Sequence, residues 1–156
     1  MSSRLFNEVR EERGLAYDIG SSIRKYHETG AFVVSAGVDN HKLKDALEVI
    51  MKELEKTAKD PVRSDELKRA KEFYRGQLDL SLENSMNNML WAGESMVTLG
   101  RCRTAREVTG LVEQVTAGDL KRVAENLFKN RAFRLAIVGP VDESLQKELT
   151  HVISAA

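Results

Sequence analysis

Few residues in this chain have the types and spacing that catalysis needs. The three histidines, His27, His41 and His151, fall on a turn, a helix start and the last helical stretch, and neither H-E-x-x-H nor the inverted H-x-x-E-H occurs. In "HETG", residues 27–30, one histidine and one glutamate share a tight turn where both would face solvent. Cys102 is alone between Arg101 and Arg103, which excludes an internal disulfide and makes no metal site by itself. The two arginines would lower its thiol pKa, but no His or Asp partner is close in sequence. The glycines form no phosphate loop, and no G-x-S-x-G elbow is present to activate a serine. One further pair stands out in "REERGLAYDIGSS", residues 10–22: Arg10 and Tyr17 lie on opposite sides of a break at Gly14. Taken alone, these residues make no catalytic set.

The elements that would position them follow from periodicity. Leu5, Phe6 and Val9 have helical spacing, with the charges of "REER" on a solvated face, and Gly14 stops the run as a left-handed cap would. Beyond it, alternation places Tyr17, Ile19, Ser21 and Ile23 on one face of a strand, and Phe32, Val34, Ala36 and Val38 on one face of another. The short "HETG" link makes them an antiparallel hairpin. Leu43, Ala46, Leu47, Ile50, Met51, Leu54 and Ala58 form the apolar stripe of an amphipathic helix, with Asn40 as its expected N-cap.

A second helical pattern starts at Ser64, its expected cap, and persists through Met96. That length calls for a break, expected near "ENSMNN", where the residues are weak helix formers. Met86, Met89, Met96 and Trp91 form a stripe whose ordinary role is core packing, the alternative being a groove or partner surface. Thr104 and Thr116 each precede a helix, Asp119 completing a capping box in the second. "AFRLAIVGPV" reads as a strand ended by Gly139 and Pro140, and a final helix runs from Asp142 or Glu143 to about Ser154. The order implies an α+β fold, a mainly antiparallel sheet with helices packed on one face. Three strands make it thin.

Bulk properties exclude several roles. The chain has 156 residues, the size of one domain, with 24 basic and 24 acidic side chains. No basic excess draws it to nucleic acid or anionic lipid. Apolar runs such as "AFVVSAGV" fall short of the roughly 18 to 20 residues that span a bilayer. The opening residues hold no stretch of signal-peptide type, which leaves bacterial cytoplasm, periplasm and mitochondrial matrix all open.

"SSRLFNEVREERGLAYDIGSS" resembles the pitrilysin or insulinase family of zinc metallopeptidases, which includes mitochondrial processing peptidases. "VTAGDLKRVAENLF" followed by "RLAIVGPV", and the helical middle from Ser64, are similar to the same domain, so the resemblance covers nearly the whole chain. In that family one half carries H-x-x-E-H, and a second half of like fold supplies an arginine and a tyrosine in R-x-x-x-x-x-x-Y. These fall here on Arg10 and Tyr17. The resemblance therefore implies the C-terminal, non-zinc half: residues 1–156 as a single half-domain lacking its opening strand and helix. Zinc is expected in a partner catalytic half, in the same or another chain.

Physical chemistry gives the pair a role consistent with this. Peptide hydrolysis builds negative charge on the scissile carbonyl oxygen, which a phenol or guanidinium stabilises by a few kcal/mol. Tyr17 is the expected oxyanion donor, in trans to the zinc half, and Arg10 a substrate-binding residue that holds a substrate carbonyl or the tyrosine. The hairpin edge is expected to take an extended peptide as an added strand, or to support self-association. The alternative is a non-catalytic structural or assembly subunit of the same fold, a role that would not need Arg10 and Tyr17.

Overall fold

The computed structural model describes residues 3–128 and 133–154. The chain divides into two compact units, Met1–Asp60 with Arg122–Ala156 and Pro61–Lys121, the boundary falling within one helix.

In the first unit the opening helix is wound wide: Phe6–Glu11 is a π-turn, in which Glu12 N–H reaches back five residues to the Asn7 carbonyl, 2.9 Å. It ends at Gly14, whose φ of +58° is the left-handed conformation expected from sequence. Gly14 N–H donates to Arg10 O at 3.0 Å and Leu15 N–H to Val9 O at 2.8 Å, a nested pair that meets the carbonyls of the last turn.

β1 (Ala16–Lys25) and β2 (Gly30–Val38) form a two-stranded antiparallel sheet, the expected hairpin. Tyr26 N–H closes its loop on Thr29 O at 2.9 Å. Gly30 enters β2 where a Cβ would lie 2.9 Å from the Arg24 carbonyl, so a side chain there would force the strands apart. After a 3-10 turn, Asn40–Lys42, α1 (Leu43–Lys59) lays its stripe on the hairpin and the π-turn. Six of its seven stripe residues are buried, and Leu43 is half-buried against them. α6 (Glu143–Ser154) packs on α1 and adds Leu149, while the end of α5 (Ala117–Phe128) brings Phe128 edge-on to Phe32, ring centroids 5.1 Å apart. Val9, with no exposed surface, ties the π-turn into this core.

In the second unit α2 (Ser64–Glu83) packs on α3 (Ser85–Leu99) and on α4 (Ala105–Gln114). The break falls at Asn84, inside "ENSMNN" as expected, because the Asn84 carboxamide oxygen caps α3 by accepting from Met86 N and Asn87 N. Both threonine caps form as expected, Thr104 with Glu107 and Thr116 with Asp119. Asp142 caps α6 by accepting from Leu145 N, which fixes that helix start.

Several expectations are corrected. Described residues 133–141 form no strand, so the sheet has two strands rather than three. Phe133 and Val141 still pack on the core, while Val138 is fully exposed: the run has strand composition but neither hairpin edge pairs with it. Ala132, the first residue of that run, lies outside the described residues. Asn40 does not cap α1; Asp39 accepts from His41 N, and Asn40 donates its amide to Pro140 O. Ser64 is the first helical residue of α2 and not its cap. The methionine stripe is not packed within its unit either: Met86, Met89 and Met96 are all more than half exposed, and Leu78 is the one buried apolar side chain of α2 and α3.

Candidate functional site

Arg10 and Tyr17 are held by two local departures from regular structure, neither of which hydrophobic alternation announces. Arg10 belongs to the π-turn, where its guanidinium carbon lies 4.9 Å from the centroid of the Phe6 ring. Its Nε is 3.9 Å from Glu11, an exposed ion pair of little energetic weight.

Tyr17 sits at a β-bulge. Ala16 pairs with Val38 but Asp18 pairs with Gly37, so Tyr17 is the extra, unpaired residue of β1. The inserted residue shifts the alternation, and Ala16 and Ile19 are buried while Tyr17 is 74% exposed. The expected single face of Tyr17, Ile19, Ser21 and Ile23 is thereby corrected at Tyr17: Ile19 points into the core and Tyr17 is exposed, while Ile23, still in phase with Ile19, is exposed further along the strand. A bulge re-aims one side chain without loss of the ladder on either side.

The segment between the two residues is clamped. Arg13 Nη1 donates to the Glu8 carbonyl at 2.7 Å and to Glu8 Oε2 at 2.5 Å, and Lys42 Nζ donates to the Gly14 carbonyl at 3.0 Å. Hydrogen bonding from Arg13 holds the Glu8 carboxyl below the usual glutamate range, against partial burial and helped by Lys56 and Lys52. On α1, Glu53 is buried and pairs with Lys56 at 2.5 Å. Arg13, Glu8, Glu53 and Lys56 escaped sequence reading, although the five-residue spacing of Glu8 and Arg13 is a signal, since it faces two side chains together only where the backbone is wound wider than an α-helix.

No hydrogen bond joins the Arg10 and Tyr17 side chains among the described residues, so each presents its polar end separately, flanking the Gly14 turn. Among the described residues no three His, Cys, Asp or Glu side chains are grouped to hold a metal ion. His27, His41 and His151 stand on the hairpin loop, the 3-10 turn and α6.

Residues 1–74, which hold this whole arrangement, match the model of the peptidase M16 inactive domain. Over that stretch the chain is similar to the M16 peptidase family. Its similarity to an uncharacterized zinc protease of Mycobacterium tuberculosis is 36% identity over 140 residues, 90% of this chain and 32% of that protein. The chain thus spans about a third of the length of the curated relatives it matches. Among solved structures, a conserved protein from Enterococcus faecalis is 28% identical with a TM-score of 0.70, over 79% of this chain and 28% of that one. A chain of Complex III2 from Candida albicans shares the fold alone, at 20% identity and a TM-score of 0.73, over 81% of this chain and 30% of its own. The match to the M16 inactive domain agrees with the half to which R-x-x-x-x-x-x-Y pointed.

Proposed function

We propose that this chain is the substrate-binding, non-zinc half of an M16 endopeptidase that cleaves peptides or presequence-like segments. Zinc is assigned to an H-x-x-E-H catalytic half, in the same or another chain, where it would supply the attacking water. The described residues of this chain do not fit the metal, and no step of its own runs through one.

The observation that carries the reading is the bulge. It presents the Tyr17 phenol outward, 74% exposed, on the strand that follows the turn bearing Arg10. Tyr17 donates its O–H to the oxyanion as charge develops on the scissile carbonyl. Arg10, stacked on Phe6 and so restricted in direction, donates to a backbone carbonyl of the substrate. A single half-domain is supported by the mycobacterial relative, whose 140 aligned residues must run through both compact units.

The free hairpin edges and the exposed apolar side chains of α2 and α3 support self-association of the isolated chain. A monomer by light scattering at high concentration would refute that part. The second reading, a structural or assembly subunit, has the Candida likeness in its favour, but that likeness is one of fold. Both Arg10 and Tyr17 are retained, and the relatives are named zinc proteases, which favours the peptidase.

The test is turnover of the assembled protein with Tyr17→Phe and with Arg10→Ala. Loss of one oxyanion donor should lower kcat by about 10²-fold, with the circular dichroism spectrum unchanged. Unaltered turnover in both variants would remove the assignment. Stoichiometric zinc on the purified chain would move the metal into this half and refute the division of roles.

A further inference from the structure

We infer that Arg13 is a positioning residue, which holds Phe6–Glu11 in its π winding and thereby sets the direction in which Arg10 leaves the turn. The consequence for substrate rests on the proposed function; the control of Arg10 does not.

Two donors compete for one carbonyl. In α winding the Glu12 N–H would donate to the Glu8 carbonyl, four residues back. In this structure Glu12 N–H goes to Asn7 instead, and the Glu8 carbonyl accepts from Arg13 Nη1 at 2.7 Å. The neighbouring carbonyls of Asn7, Val9 and Arg10 all take backbone donors, so the guanidinium supplies the donor that the wide winding leaves out. The same Nη1 grips Glu8 Oε2 at 2.5 Å, which ties the side chain of the residue whose carbonyl it occupies.

π winding is rare and persists where its surroundings overdetermine it. Three further contacts do so here. Gly14 reverses the chain at positive φ, Lys42 holds the Gly14 carbonyl, and Val9 is sealed in the core. None of these occupies the Glu8 carbonyl, and Arg13 alone of the four blocks the α alternative directly. The charged groups around the clamp are Glu12, 3.9 Å from Arg13, together with Glu53, Lys56 and Lys52 of α1. A return to α winding would hand the Glu8 carbonyl to Glu12 and rotate Arg10 about the helix axis relative to Phe6. Arg13 thus acts through Arg10 and touches no substrate itself.

The experiment reads Arg10 directly, by NMR of the full chain. Arg13→Met should move the Arg10 side-chain resonances out of the Phe6 ring current toward free-arginine values. It should also speed amide exchange at Glu12 by about tenfold or more, while hairpin amides such as Ser22 keep their rates. Arg13→Lys, which keeps the charge but not the fork, should shift Arg10 part of the way, and it carries the test if Arg13→Met does not fold. Arg10 resonances and Glu12 exchange left unchanged in a folded variant would overturn the proposal.

In the assembled peptidase, the double variant Arg10→Ala with Arg13→Met should lose no more turnover than Arg10→Ala alone. A loss equal to the product of the two single losses would show Arg13 acting other than through Arg10, and would also overturn it. If Arg10→Ala itself left turnover untouched, the proposed function would fail while the NMR result still decided the role of Arg13.

Discussion

The guanidinium of Arg10 lies over the ring of Phe6, 4.9 Å from Cζ to centroid, one turn back along the same wide winding. A cation on an aromatic face at a partly exposed site contributes about 0.5–1 kcal/mol. Phe6→Leu keeps an apolar side chain there and removes the quadrupole. It should lower stability by about that amount beyond the loss of buried area, with the excess absent in an Arg10→Met background. Urea midpoints across the double-mutant cycle measure it.

Gly14 is where the chain turns toward β1, at a φ of +58°, and a Cβ added there would meet only open space. The cost of Gly14→Ala is therefore backbone strain alone, about 1–2 kcal/mol. Gly14→Asn should cost less, because asparagine tolerates the left-handed region. Equal destabilisation by both substitutions in thermal unfolding would mean that the turn is limited by something other than φ.

Acid should reach the Arg13 clamp through Glu8. Its carboxyl titrates lower in the folded chain than in the unfolded one, chiefly through the Arg13 hydrogen bond, with Lys56 and Lys52 facing it from α1. The stabilisation is thus fully present above the unfolded glutamate value of about 4.3 and is lost as pH falls through the lower folded value. As pH falls below about 5 the native chain should lose more unfolding free energy than Glu8→Gln. Parallel pH profiles of the two proteins would contradict this.

The two units should differ in their tolerance of substitution. Leu149 is 2% exposed in the first unit, and Leu149→Ala should cost about 2–5 kcal/mol. Val97, on α3, is 86% exposed, and Val97→Ala should stay within about 0.5 kcal/mol in the isolated chain. Amide exchange should likewise be faster in α3 than in α1, since few apolar contacts hold it closed. Slow exchange throughout α3 would show its apolar face covered in solution.

Removal of the cap between α2 and α3 is a separate case. Asn84→Ala deletes the acceptor for Met86 N and Asn87 N and should cost about 0.5–2 kcal/mol. Asn84→Asp restores the acceptor and should recover most of it, which chemical denaturation would show.

What is legible in the sequence is whatever a repeating pattern encodes. The stripe from Leu43 to Ala58 predicts α1 because seven side chains agree on one face. The boxes at Thr104 and Thr116 and the break at Asn84 are local chemistry between residues two or three apart. "AFRLAIVGPV" misleads because strand composition reports a preference, and among the described residues neither open edge of the hairpin pairs with the run. At the candidate site the residues are legible from motif resemblance, but their geometry is not. Both the π-turn and the bulge add one residue to a regular repeat, and periodic reasoning has no term for an added residue.

The bulge leaves β1 with two phases. Ala16 and Ile19 both face inward although three positions separate them, so the two-residue beat is reset once between them. Chemical identity at Tyr17 can change without disturbing that timing. A deletion of one residue there would restore an unbroken beat with Ala16 and Ile19 two positions apart and both still facing inward, and would remove the added place at which the phenol stands. In this segment the added residue is spent on the phenol alone: the ladder on either side keeps alanine and isoleucine within, with or without it.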